Sequence, residues 1–184
     1  MIFSLSLNPL EELGIYCDKP HSLERFKNLK RLTCVFGNLT DWFMKNLWKY
    51  VSLEMTHLHA TKDYLTSEGE TYFSKFQNMK IFKLLTGNRN VDNILKNVSF
   101  CKNLIHLEVY ENVISYEGLT NIVINLPNLK LLNILSPLQI KKSEFFNIIV
   151  NFKNLETTSF KFFKELDYDF FEILSNTKIE LKIF

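Results

Sequence analysis

The chain has 184 residues, 46% of them hydrophobic and 14% aromatic, with a net charge of +2. That is one domain's length with ample material for a core, which excludes a disordered chain, and a charge so near neutral singles out no strongly charged class of partner. Five glycines and four prolines are too few for a turn-rich sandwich, and three cysteines without metal-type spacing fit a reducing compartment better than a disulfide framework.

The first stretch, Met1 to Leu7, is apolar but lacks a basic flank and ends at Asn8, Pro9, Glu11 and Glu12. It is too short for a signal peptide or a membrane span, and no other window reaches membrane length. A soluble protein of the cytoplasm or nucleus is expected, with no membrane among its partners. From Leu10 onward a pattern Leu-x-x-Leu-x-Leu, with conservative substitutes, starts at Leu10, Leu29, Leu53, Met79, Leu104, Leu129, Leu155 and, more weakly, Lys178. The spacings are 19, 24, 26, 25, 25, 26 and 23. Alternation within each pattern predicts a short strand with one buried face. The inward pairs are Leu13 and Ile15, Leu32 and Cys34, Thr56 and Leu58, Phe82 and Leu84, Leu107 and Val109, Leu132 and Ile134, Thr158 and Phe160, and Leu181 and Ile183.

Between the strands, apolar residues recur ten, six and three places before each start. They are Phe43, Leu47 and Tyr50; Phe73 and Phe76; Ile94, Val98 and Cys101; Leu119, Val123 and Leu126; and Phe145, Ile149 and Phe152. Steps of four and three mark one face of a helix. Leu23 and Phe26 mark a shorter first helix, and Phe170 with Leu174 a slipped last one. Ser67 with Glu70 reads as a capping box, and Ser115 and Ser143 are placed to cap the next helices but one and two. Strand, helix and parallel strand at a fixed period predict an α/β fold of the right-handed solenoid type, with seven to eight repeats of 23–26 residues, a concave parallel sheet and convex helices. Residues 1–184 form a single domain in this reading, lacking one or both caps.

The unit from Cys101 carries a resemblance to a known family. Cys101, Leu104, Leu107 and Val109, the turn Ile114 to Leu119 with Gly118, and the close Leu126, Pro127, Asn128 and Leu129 resemble the cysteine-containing subclass of leucine-rich repeats. In other units Phe26, Tyr50, Phe76 and Phe152 stand in the cysteine column. The resemblance implies the horseshoe fold and, through F-box proteins with such repeats, a substrate-holding role in ubiquitin ligation. Only nine residues precede Leu10, so the F-box that binds the Skp1 adaptor of a cullin ligase has to come from sequence outside this chain. The alternative is a stand-alone leucine-rich repeat scaffold or inhibitor-like binding protein, or a truncated remnant.

Places two, four and six of each strand pattern are expected to face concave solvent. Among them Tyr16, Met55, His57, His59, Ile81, Lys83, Leu85, His106, Glu108, Tyr110, Leu131 and Leu135 form the candidate surface for a protein partner. Met55, Ile81, Leu85, Tyr110, Leu131 and Leu135 would make an apolar patch ringed by charges, the composition of a protein-binding site. His57 and His106 fall two strands apart, about 9.6 Å, with Lys83 expected in the row between them and no cysteine or carboxylate pair at ligand distance, so no metal site is expected. No nucleophile with a base, paired carboxylates or phosphate-cradling glycine loop occurs, and no enzyme or cofactor is expected. Cys34 and Cys101 read as core, and Gly118 as a turn glycine. Arg31, Lys83, Lys161 and Lys182 interleave with Glu12, Glu108 and Glu180, leaving no basic stripe for nucleic acid.

Overall fold

The computed structural model describes residues 12–15, 27–34, 39–51, 56–61, 65–85, 90–110, 113–135, 142–160 and 177–183. Its strands are β1 (Glu12–Ile15), β2 (Arg31–Cys34), β3 (His57–Thr61), β4 (Ile81–Leu85), β5 (His106–Tyr110), β6 (Leu131–Leu135), β7 (Thr157–Phe160) and β8 (Glu180–Ile183). All pair in parallel, in sequence order, as one eight-stranded sheet. The helices are α1 (Asp41–Val51), α2 (Ser67–Thr71) continued by a 3-10 turn Tyr72–Lys75, α3 (Asp92–Val98), α4 (Tyr116–Asn125) and α5 (Lys142–Ile149).

One backbone device sets the register. The Lys30 carbonyl accepts from Thr56 N–H at 2.9 Å and His57 N–H at 3.0 Å, and the Thr56 carbonyl accepts from Lys80 at 2.8 Å and Ile81 at 3.0 Å. Lys80, Ile105 and Lys130 carbonyls do the same for the next strands, each satisfying two donors that enter the sheet together. A side-chain ladder runs beside it. The amides of Asn103, Asn128 and Asn154 donate to the carbonyls of Gln77 (2.9 Å), Lys102 (3.2 Å) and Pro127 (2.7 Å), each about one strand-to-strand interval earlier.

This register corrects the expected third unit. Leu58 pairs with Leu32 and Phe82, and His57 with Arg31 and Ile81, so the strand pattern starts at Met55 rather than Leu53, and buried Leu58 takes its first inward place. A shift of two leaves every side chain on its own face, so hydrophobic alternation cannot distinguish the two settings; the bonds at Thr56 decide. Thr56 is half-buried and its hydroxyl donates to the Lys30 carbonyl at 3.1 Å.

The core lies between the sheet and the helices. Phe43, Leu47, Phe73, Phe76, Ile94, Val98, Cys101, Leu119, Leu126, Phe145, Ile149 and Phe152 are buried against Leu32, Leu58, Phe82, Leu84, Leu107, Val109, Leu132 and Ile134, with Val123 and Tyr50 packed at the margin. Each such aliphatic or aromatic side chain contributes about 1.5–3 kcal/mol of burial. Phe73 and Phe82 pack with ring centroids 5.2 Å apart. Thr158, inward and fully buried, donates its hydroxyl to the Leu132 carbonyl at 3.0 Å. The expected columns at Leu23 and Phe26, and at Phe170 and Leu174, lie outside the described residues.

The helix starts also differ from expectation. Thr66, not Ser67, caps α2, its hydroxyl accepting from Glu68 N–H at 3.2 Å, while the Glu70 carboxylate accepts from Asn93 instead of closing a box. Ser115 caps α4 as expected, accepting from Gly118 N–H at 3.3 Å. Ser143 is the second residue of α5 rather than its cap. Gly118 is no turn glycine: it is buried in the first turn of α4, where a Cβ would stand 2.2 Å from Asp92 Oδ1. Asp92, first residue of α3, needs that space because its carboxylate accepts from Ser115 N–H at 3.0 Å. Asp41, first residue of α1, repeats the arrangement at the start of α2. It accepts from Thr66 N–H at 2.9 Å, and a Cβ on Gly69 would lie 2.0 Å from its Oδ1.

Candidate functional site

The strand residues turned away from the core line an open sheet face in three rows. The first holds Arg31, His57, Ile81, His106, Leu131 and Thr157, the second Thr33, His59, Lys83, Glu108, Asn133 and Ser159, and the third Leu85, Tyr110 and Leu135. Tyr16 and Met55 lie outside the described residues. The two-residue shift at β3 puts Ile81, not Lys83, between His57 and His106, and places His59 beside Lys83.

Three side chains of β5 converge, because alternation aims every second residue at the same side. His106 Nε2 lies 2.5 Å from Glu108 Oε1, and the Tyr110 hydroxyl donates to Glu108 Oε2. From β4, Lys83 Nζ reaches Oε1 at 3.1 Å. Glu108 was expected to face solvent, yet its side chain is only 6% exposed, covered by these three partners. Burial pushes its carboxyl up, but the hydrogen bonds from His106, Tyr110 and Lys83, and the Lys83 charge, outweigh it and hold the group at about 2. Burial, the bond to Glu108 and the Glu108 charge push the Tyr110 hydroxyl up to about 12. A general acid or base works best near the operating pH, and these two groups sit far to either side of neutrality. The cluster instead fixes the orientation of four polar side chains at the middle of the face.

Apolar side chains flank this hub. Ile81 and Leu131 stand in the first row on either side of His106, and Leu85 and Leu135 in the third on either side of Tyr110. Leu85 is 37% exposed. Sequence reasoning expected an apolar centre ringed by charge; the polar groups are at the centre, because β5 supplies three of them at one strand. Asn133 and Ser159 continue the second row, the serine hydroxyl donating to Asn133 Oδ1 at 2.6 Å. Ser159 was also expected to face solvent and is buried, covered in part by that contact.

Beside the hub, β2, β3 and β4 form an open groove of about 310 Å³, in which Arg31, Thr33, His57, His59, Ile81 and Lys83 stand over Leu32 and Leu58. His57 Nδ1 lies 2.8 Å from the Thr56 hydroxyl. Burial and the neighbouring Lys83 charge lower the His59 pKa below 6.5, against a smaller opposing pull from Glu108. Arg31 and Thr33 were legible as face positions, but adjacency to the two histidines depended on the β3 register.

Cys101 is buried at the end of α3, its thiol donating to the Phe73 carbonyl at 3.2 Å, and burial pushes it up to about 12. Among the described residues no group of three His, Cys, Asp or Glu side chains is placed to hold a metal ion, and no helix is long and apolar enough to cross a membrane. No protein-family model matches this chain, and no curated protein matches it significantly in sequence.

Proposed function

We propose that this chain is a leucine-rich repeat solenoid of the cysteine-containing type, acting inside the cell as a non-catalytic module that binds a protein partner on the open, concave face of its sheet. In the fuller form of the reading it is the substrate-holding part of an F-box type ubiquitin ligase receptor. The observation that carries the binding role is the face itself: half-exposed Ile81, Leu85, Leu131 and Leu135 around a fixed Lys83–Glu108–His106–Tyr110 cluster. Protein interfaces are built this way, with apolar area excluding water around a few rigid polar or aromatic anchors. The strand intervals of 23–26 residues beyond β2 and the Cys101 unit support the repeat class.

The test places a photocrosslinking residue at Leu85 or, on the helical side, at exposed Ile124, and compares captured proteins in cells. A partner crosslinked from Leu85, lost in L85K/L131K and retained in I124K, with unchanged circular dichroism, supports the face. A partner lost only in I124K moves the site to the helices. Co-purification of that partner with the Skp1–cullin machinery, and its ubiquitination, decides between the ligase role and a stand-alone scaffold.

A further inference from the structure

Helices α1 to α5 each lie between two parallel strands of one sheet, so all run back in the same direction. Their first turns share one edge of the molecule, and their last turns, with the corners that enter the next strands, share the other. Charge is sorted between these edges. The first turns carry Asp41, Glu68, Asp92, Glu117 and Glu144. At the other edge, residues 72–80, 95–105, 121–130 and 147–156 hold six lysines and one acid, Glu156, which pairs with Lys130 at 2.6 Å. Exposed Lys75, Lys80, Lys96 and Lys153 have no carboxylate partner among the described residues. Of the eight large apolar side chains exposed among the described residues, five stand at this same edge: Trp48, Phe100, Ile105, Ile124 (70% exposed) and Val150. We infer that the edge docks on an anionic phospholipid bilayer, its lysines among the headgroups and Phe100, Ile124 and Val150 against the acyl boundary.

Charge and apolar content together select that occupant. Lysine is drawn to an anionic leaflet as a point charge, and these stretches contain no arginine, whose planar fork grips a nucleic-acid phosphate or a protein carboxylate in two bonds. A single-stranded nucleic acid rewards aromatic faces on which its bases stack. Ile105, Ile124 and Val150 have no such face and gain only by leaving water. Lysines interleaved with exposed Trp, Phe and aliphatic side chains are the composition of surfaces that lie in a bilayer interface. The first-turn acids fix the orientation, since the leaflet that attracts the lysine edge repels theirs. No described helix is long and apolar enough to cross a membrane, and docking by an edge needs none. The strands run from this edge towards the other, so the open sheet face stays accessible to a protein partner. The inference goes beyond that partner role and stands apart from it.

The probe is unilamellar vesicles of phosphatidylcholine with about 30% phosphatidylserine, sedimented with the full chain beside vesicles of phosphatidylcholine alone. The chain is expected to sediment with the first and not the second. A lysine near an anionic surface is worth about fivefold in affinity, so K75E/K96E/K153E should weaken binding about hundredfold or more. I124S/V150S should weaken it about fivefold to tenfold, and E68K/E117K on the opposite edge should not weaken it. Circular dichroism checks the fold of each variant. Release of the wild type as KCl rises from about 50 to about 500 mM reads the charge contribution without any substitution. Absence of sedimentation with the anionic vesicles, equal sedimentation with the neutral ones, binding indifferent to salt, or full binding by K75E/K96E/K153E or I124S/V150S overturns the inference. Binding of oligouridylate or polyglutamate where the vesicles are inert also overturns it, and gives the edge to a nucleic acid or an acidic protein.

Discussion

Replacing Gly118 by alanine would ordinarily stabilise a helix, by roughly 0.5–1 kcal/mol through lower entropy of the unfolded chain and better helix propensity. Here the added Cβ would stand 2.2 Å from Asp92 Oδ1 and 3.0 Å from its Cγ, so the carboxylate must leave. Leaving breaks its bond to Ser115 N–H, a charged acceptor on a backbone donor worth about 1.5–3 kcal/mol, and disturbs its second oxygen, 3.0 Å from Asn90 Nδ2. The loss exceeds the gain, and G118A is expected to destabilise by about 1–2 kcal/mol. D92A alone should cost about 2 kcal/mol. In the D92A background nothing obstructs the methyl group, and G118A should then stabilise by about 0.5–1 kcal/mol. The effect of one substitution thus reverses sign with the other, a coupling of about 2 kcal/mol between residues on successive helices. Urea unfolding followed in parallel by circular dichroism and tryptophan fluorescence measures the cycle, coincident transitions licensing the two-state fit. Equal destabilisation by G118A in both backgrounds, or stabilisation of the wild type, would refute the account. Gly69 and Asp41 should show the same destabilisation but a weaker reversal, since a Cβ on Gly69 would still stand 2.6 Å from Leu65 Cδ2 once the Asp41 carboxylate is gone.

Two further expectations follow from the titrating groups. The Glu108 carboxyl titrates at about 2 when folded against 4.5 as its ordinary value, so its contribution is complete above about pH 4.5 and disappears as pH falls towards 2. The full shift corresponds to about 3 kcal/mol, which solvent screening at an open face reduces to about 1–2 kcal/mol. E108Q should therefore cost that much at pH 6 and little at pH 2.5, and an equal cost at both would contradict the ionised hub. His59, whose lowered pKa removes stability as pH falls below 6.5, cancels only in part, because burial and the Lys83 charge act on it in both proteins while E108Q removes the upward pull of Glu108. Cys101, with its thiol pushed up to about 12 and buried, should resist iodoacetamide at pH 8 in the native protein and react at the rate of local unfolding. Mass spectrometry of the Cys101 peptide reads this directly, and fast modification under native conditions would place the thiol at the surface.

The strands and helix faces were legible because they rest on periodicity. From Phe43 to Phe152 the residues predicted to point inward on helices are buried or packed at the margin of the core, and parallel order follows from a helix between successive strands. What escaped was everything set by contacts between neighbouring helices and strand corners. Gly118 looked like a turn residue because its reason is the Asp92 carboxylate, 26 residues earlier in the chain. The asparagines before Leu104, Leu129 and Leu155 carry no hydrophobic signal, yet each amide ties its corner to the preceding one.

The β3 register shows how such a local ambiguity reaches the site. Two settings of the strand, starting at Leu53 or Met55, present the same faces, and alternation assigns them equal merit. The Leu53 setting places His57 in line with Lys83 and separates His59 from it. In the folded sheet Thr56 takes the double-donor corner, accepting and donating across both neighbouring strands, and this moves His59 beside Lys83. Lys83 then has a carboxylate on its β5 side and an imidazole on its β3 side. Its one charge both anchors the Glu108 hub and depresses His59. The hub and the groove are therefore coupled through a single side chain. K83M should raise the pH at which His59 protonates while loosening Glu108, changes of opposite consequence that the sequence pattern alone had no means to connect.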